Sequence, residues 1–219
     1  MLDQLLVYDD LEPKPAALNM AVDEALLTEA DAPVLRFYRW QRPSLSFGYF
    51  GRYAEAADQS DGHEIVRRWT GGGIVPHGDD LTYSVIIPAS HPFFARSSLE
   101  IYTFLHDTIR GALAANGVSA ILANRAAPKV SENCFANAVT SDVISGGRKI
   151  AGAAHRRSRA GLLHQGSIQR HDLPDRFRAD FARGLCDRHE MKMLAPELRE
   201  HAASIATTKY GTAEWLKRR

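Results

Sequence analysis

Residues 142–157 read DVISGGRKIAGAAHRR, two β-forming runs on either side of Gly146-Gly147. A two-residue turn of this kind needs positive φ at both central positions, which glycine adopts without steric cost. The segment is therefore expected to be a tight β-hairpin. Residues 161–169 add a third strand, so the centre of the fold should be an antiparallel sheet that the rest of the chain must cover. Runs 34–40 and 44–50 also read as strands, separated by Pro43, as do 64–69, 81–88 and a short stretch at 118–123. Leu18, Val22, Ala25 and Leu26 fall on one face of a helix over 16–30. Ser98 can cap a second helix over 99–116, which Asn116-Gly117 ends, and 124–137 reads as a loop. From about 175 the composition turns helical, with Pro196 as a helix start and 209–216 as the last amphipathic turns. The expected class is α+β, a largely antiparallel mixed sheet with helices packed on one side of it.

Bulk properties narrow the function classes. At 219 residues the chain is expected to be one domain, 1–219, with a helical C-terminal portion. A formal net charge of +1 argues for neither nucleic acid nor membrane as a partner. No stretch of about 18 apolar residues could span a bilayer, and Asp3 and Asp10 interrupt the short apolar start, so no signal peptide is expected. The expected location is the cytoplasm. Two cysteines, Cys134 and Cys186, do not make a secreted disulfide framework. Cys186 has no motif around it and reads as structural. The nine histidines show no metal-ligand clustering, so no metal is expected. Basic residues do gather locally, at His155, Arg156, Arg157 and Arg159 and at Lys217–Arg219, where a solvated face is the plain reading.

The chemistry concentrates in residues 67–84, RRWTGGGIVPHGDDLTYS. Three consecutive glycines let a ligand approach backbone N–H groups closely, and adjacent arginines offer planar forks to a carboxylate or phosphate. Neighbouring strand residues face opposite sides, so Arg67 and Arg68 should be split, one toward the ligand and one away. Lys149, among Gly147, Ala151, Gly152 and Ala153, has room for a substrate above it. Cys134 lies in a polar loop, Ser131-Glu132-Asn133-Cys134-Phe135, 15 residues before Lys149. His77 and His164 each stand either as hydrogen-bonded structural residues or as part of the site.

Together, RRWTGGGIVPH and GRKIAGAA followed by LLHQGS resemble the catalytic domain shared by lipoate-protein ligases, octanoyltransferases and biotin-protein ligases. LNMAVDEALL at 18–27 and LRFYRWQRPSLSFGYF at 35–50 extend the likeness to roughly residues 5–170. The resemblance implies that Cys134 and Lys149 are catalytic. It implies a substrate-binding role for Arg67, Arg68, Thr70, Gly71, Gly72, Gly73, His77, Gly152, Ala153 and His164. Cys134-Phe135 ahead of the Gly-Arg-Lys-Ile strand, and LTYS after His77, are similar to the cysteine-dependent octanoyltransferases. That branch implies octanoyl transfer from acyl carrier protein, without a cofactor. The acceptor lysine would sit on a lipoyl-carrier domain, of glycine cleavage H protein or a 2-oxoacid dehydrogenase E2. An ATP- and Mg-dependent lipoate-protein ligase is the alternative, with Cys134 incidental. A non-catalytic module binding acyl groups or lipoyl domains is the third. Physically, a Lys149 ammonium would support an oxyanion at the acyl carbon and favour the thiolate of Cys134.

Overall fold

The computed structural model describes residues 1–126, 135, 137–170 and 172–218. Cys134 lies outside them. An eight-stranded mixed sheet runs in the order β11-β1-β2-β6-β10-β9-β8-β7. Its strands are β1 (Leu5–Lys14), β2 (Val34–Trp40), β6 (Leu81–Pro88), β7 (Ile121–Leu122), β8 (Val143–Ser145), β9 (Arg148–Arg157), β10 (Gly161–Ile168) and β11 (His189–Lys192). From β2 through β7 every pairing is antiparallel, while β1 pairs parallel with both β2 and β11. The β8–β9 turn has φ of 55° and 74° at Gly146 and Gly147, the double left-handed geometry the sequence demands.

Helices cover both faces, correcting the one-sided packing expected. Alternate strand residues explain it: Leu35, Phe37, Tyr83, Val85 and Ile87 point toward α3 (Ser98–Ala115) and α4 (Arg176–Leu185). Val34, Tyr38, Trp40, Ile86 and Leu163 point toward α1 (Ala16–Glu29) and α5 (Pro196–Ile205). Strands apolar on both sides need two covers. Ser97, rather than Ser98, caps α3, in a reciprocal capping box with Glu100.

A second, three-stranded sheet, β4-β3-β5, carries the glycine motif. It comprises β3 (Ser44–Phe47), β4 (Glu64–Arg67) and β5 (Val75–His77), with the short helix α2 (Tyr53–Asp58) beside it. The loop 68–74 presses onto Gly48, where an added Cβ would lie 2.0 Å from the Gly72 carbonyl oxygen. A buried network ties this sheet to the larger one. Arg36, fully buried, bonds Asp10, Asn19 and Asp23. Asp23 accepts from Ser84 and from Gln165, and Gln165 Oε1 accepts from Thr70 Oγ1 at 2.8 Å. The helix α6 (Ala213–Lys217) closes the chain against β4. No helix among the described residues is long and apolar enough to cross a membrane.

Candidate functional site

Between the two sheets lies a pocket of about 430 Å³. Trp40, Thr82, Gln165, Ser167 and Gly152 face it from the large sheet, Ser46, Arg68, Val75 and His77 from the small one, and Phe135 and Lys149 border it. Its walls mix apolar side chains with a few convergent polar groups, as the lining of a ligand site does.

Lys149 reaches the pocket because β9 carries a bulge. Register slips between Val143↔Ala151 and Ile144↔Lys149, leaving one extra residue on β9. Ile150 and Ala151 then both enter the core under α3, and Lys149 and Gly152 both turn to the pocket. Bulges of this kind re-aim side chains beside functional sites. The Lys149 ammonium pairs with Asp142 Oδ2 at 2.8 Å, and its side chain is only 5% exposed. The Phe135 ring centroid lies 5.2 Å from Nζ. Asp142 is fully buried and also accepts from the Tyr102 hydroxyl and the Val139 N–H, both at 2.6 Å. This carboxylate fixes where the ammonium points. Sequence reasoning missed Asp142 and Tyr102, since nothing in SDVIS or in α3 separates them from ordinary strand and helix residues.

The two arginines divide as strand alternation requires. Arg68 lines the pocket, donating to Ser46 Oγ at 2.7 Å and to the Gly71 and Gly73 carbonyls at 3.0 and 2.9 Å. It therefore shapes the glycine loop from within, and Gly72 takes φ 89° to make the turn. Arg67 faces away from the pocket. Its guanidinium binds the carbonyls of Tyr49, Gly51, Trp215, Leu216 and Arg218. The structure thus places Arg67 as a latch on α6 rather than beside a ligand. Thr70 turns inward to Gln165.

His77 stacks on Trp40, with ring centroids 4.1 Å apart and 18° between planes. Its Nδ1 meets Asp80 Oδ2 at 2.8 Å and its Nε2 meets Ser46 Oγ at 2.6 Å. Burial raises the Asp80 pKa, but the His77 charge and hydrogen bonds from His77, Ser167 and the Gly78 N–H outweigh it and hold the carboxyl below its usual value. Ser46 and Asp80 were not foreseen as site residues, although Asp80 stands three residues beyond His77 and could have been found from that spacing.

His164 is not brought to the pocket. It lies on the other face of β10, in a buried cluster with Tyr83, Tyr102, His106 and His155. Burial, then the neighbouring His106 and His155, hold its pKa well below the usual histidine value. Gly152 and Ala153 do line the pocket, and the Tyr102 hydroxyl bonds the Ala153 backbone on the far side. Cys186 is buried, with Sγ against the Arg188 carbonyl at 3.3 Å. Among the described residues no group of three or more His, Cys, Asp or Glu side chains is placed to hold a metal ion.

Comparison with known proteins gives the same direction. Residues 15–204 match the family described as the lipoyl protein ligase A/B catalytic domain. The chain is 39% identical to octanoyltransferase LipM of Oceanobacillus iheyensis over 165 residues, covering 71% of this chain and 60% of that protein. Octanoyltransferase LipM of Carboxydothermus hydrogenoformans is 32% identical, with 92% of this chain and 94% of that protein covered. In several such relatives the matching part is thus about 60% of the length. A crystal structure of lipoate-protein ligase A bound with ATP superposes with a TM-score of 0.78 at 23% identity, covering 99% of both chains. Protein Ta0514 of T. acidophilum with bound lipoic acid gives 0.77, also at 23% and 99% of both chains. At that identity these two show a shared fold.

Proposed function

Because the chain belongs to the lipoyl protein ligase A/B catalytic-domain family, we propose that it transfers an octanoyl group to a specific lysine of a lipoyl-carrier domain, through a thioester on Cys134. The observation that carries this reading is the bulge-directed Lys149 ammonium at the wall of a pocket that Phe135, next in sequence to Cys134, also lines. The donor is an octanoyl thioester on acyl carrier protein. The Cys134 thiolate attacks the acyl carbonyl, and collapse of the tetrahedral species expels the carrier thiolate, which takes a proton from solvent. The acceptor amine then attacks the Cys134 thioester, releases the thiolate and loses a proton. In both steps negative charge develops on the carbonyl oxygen, and a cation fixed beside it stabilises it more than it does the ground state. Asp142 holds Lys149 in place for that purpose and partly offsets its field, so the cation is oriented at some cost in strength.

A thioester is already activated, so this route consumes no ATP. The test offers octanoyl-acyl carrier protein and a lipoyl-carrier domain to the protein, with and without ATP, and reads acceptor mass. Octanoylation independent of ATP is expected, and Cys134→Ala should abolish it. Acceptor modification only with ATP and free octanoate or lipoate would replace this reading with the ligase.

A further inference from the structure

The pocket holds a second constellation that transfer through Cys134 does not use. Ser46 Oγ lies 2.6 Å from His77 Nε2, and His77 Nδ1 lies 2.8 Å from Asp80 Oδ2. Proton positions follow from donor counting. The Arg68 guanidinium can only donate and fills one of the two Ser46 Oγ lone pairs, so the serine gives its own hydrogen to His77 Nε2 when that nitrogen is unprotonated. His77 Nδ1 then carries the ring proton and donates it to Asp80. Asp80 also accepts from Thr82, Ser167 and the Gly78 N–H, which fix its carboxyl beneath the ring. Trp40 fixes the ring plane. A hydroxyl, an imidazole in the accepting tautomer, and a buried carboxylate that orients it are the parts of a serine acyl-transfer relay. Ser46, Arg68 and His77 all line the acyl pocket.

We propose that Ser46, His77 and Asp80 form a second acyl-accepting centre, which takes a medium-chain acyl group from an ester or thioester and passes it to water. The Ser46 oxygen bonds to the acyl carbon while its proton moves to His77 Nε2. The tetrahedral species expels the alkoxide or thiolate, which takes that proton from His77. Water then attacks the Ser46 ester, giving its proton to His77. Collapse frees the fatty acid and returns the proton to Ser46. The Arg68 guanidinium lowers the cost of negative charge at the serine oxygen. This activity shares only the pocket with the Cys134 reading, and either can stand without the other.

The test uses the full chain as Cys134→Ala, with p-nitrophenyl octanoate as substrate and an octyl fluorophosphonate as trap. Nitrophenol release above the uncatalysed rate is expected, with one phosphonyl group mapped by peptide mass to Ser46. Adding His77→Gln should lower the release rate by about 100-fold, the scale of a lost general base. The mapping is done with Ser46 intact, so it does not depend on whether a serine variant folds. A folded Cys134→Ala protein with neither ester turnover nor a Ser46 adduct would overturn the proposal. The Cys134 reading would be untouched by that result, because its own test is an adduct on the thiol of the unsubstituted chain.

Discussion

At Gly152 an added Cβ would sit 2.3 Å from Lys149 Cε and 2.6 Å from Nζ. The far end of a lysine can swing aside, so Gly152→Ala should still fold, with a lower unfolding temperature because the displaced ammonium leaves the buried Asp142 unpaired. Acyl transfer should then fall by 100-fold or more, the scale of a lost oxyanion donor. Thermal unfolding and transfer rates measured on one preparation check both halves. An active Gly152→Ala protein would show that the ammonium position is unimportant. Asp142→Asn probes the same contact from the other side. It leaves a buried ammonium without its counter-charge and should lower stability by about 3 kcal/mol, read by urea unfolding. Lys149 and Gly152 were picked out by the family resemblance and do line the pocket, whereas Gly71, Gly72 and Gly73, picked out in the same way, form the loop over Gly48 and are not among the lining residues. Asp142 and Ser46 were not picked out, since an aspartate or serine on a strand carries no mark of what it faces until the sheets are assembled. His164 misled for the same reason: its motif position is real, but strand alternation turns it under α3.

Arg67 shows how an element can depend on one side chain. Its guanidinium gathers carbonyls from 49–51 and from the last turn of the chain, and the Trp215 indole returns a bond to the Arg67 carbonyl. Arg67→Met should leave those carbonyls unpaired and release α6, costing roughly 3 kcal/mol. The folded fraction should still load acyl groups, whereas Arg68→Met should not. Comparing stability with loading for the two variants separates latch from pocket residue. The two longest helices and the central strands were readable from periodicity. β1 was not, because LLVYDDLEPK carries two aspartates and a proline, and its burial comes from Arg36 and the parallel neighbours β2 and β11. β11, whose side chains are mostly exposed, sits inside a stretch that reads as helical throughout. Its strand state comes from pairing alone.

Across the whole molecule, stability should depend on pH through the histidines under α3. Burial pushes His106 down to about 4, against opposing effects of Asp142 and the Ser141 carbonyl, and pushes His164 down as well. Above about pH 6.5 neither the folded nor the unfolded chain protonates His106, so it contributes no pH dependence there. As pH falls from about 6.5 to 4 the unfolded chain takes up a proton that the folded chain refuses. Stability is lost over that window, about 3 kcal/mol from His106, and the loss levels off below it. Urea unfolding between pH 7 and 4.5 should show this slope, and His106→Gln should reduce it, leaving the part that belongs to His164. None of this was visible in the sequence, where the histidines are far apart and only the sheet and α3 bring them together. The central claim, an acyl-enzyme on Cys134, is tested most directly by mass. The protein is mixed with octanoyl-acyl carrier protein alone, quenched in acid, and its intact mass and peptides are read. One octanoyl group on the peptide containing Cys134, absent from Cys134→Ala and formed without ATP, is the predicted result. An unmodified Cys134 in protein that still octanoylates its acceptor would contradict it.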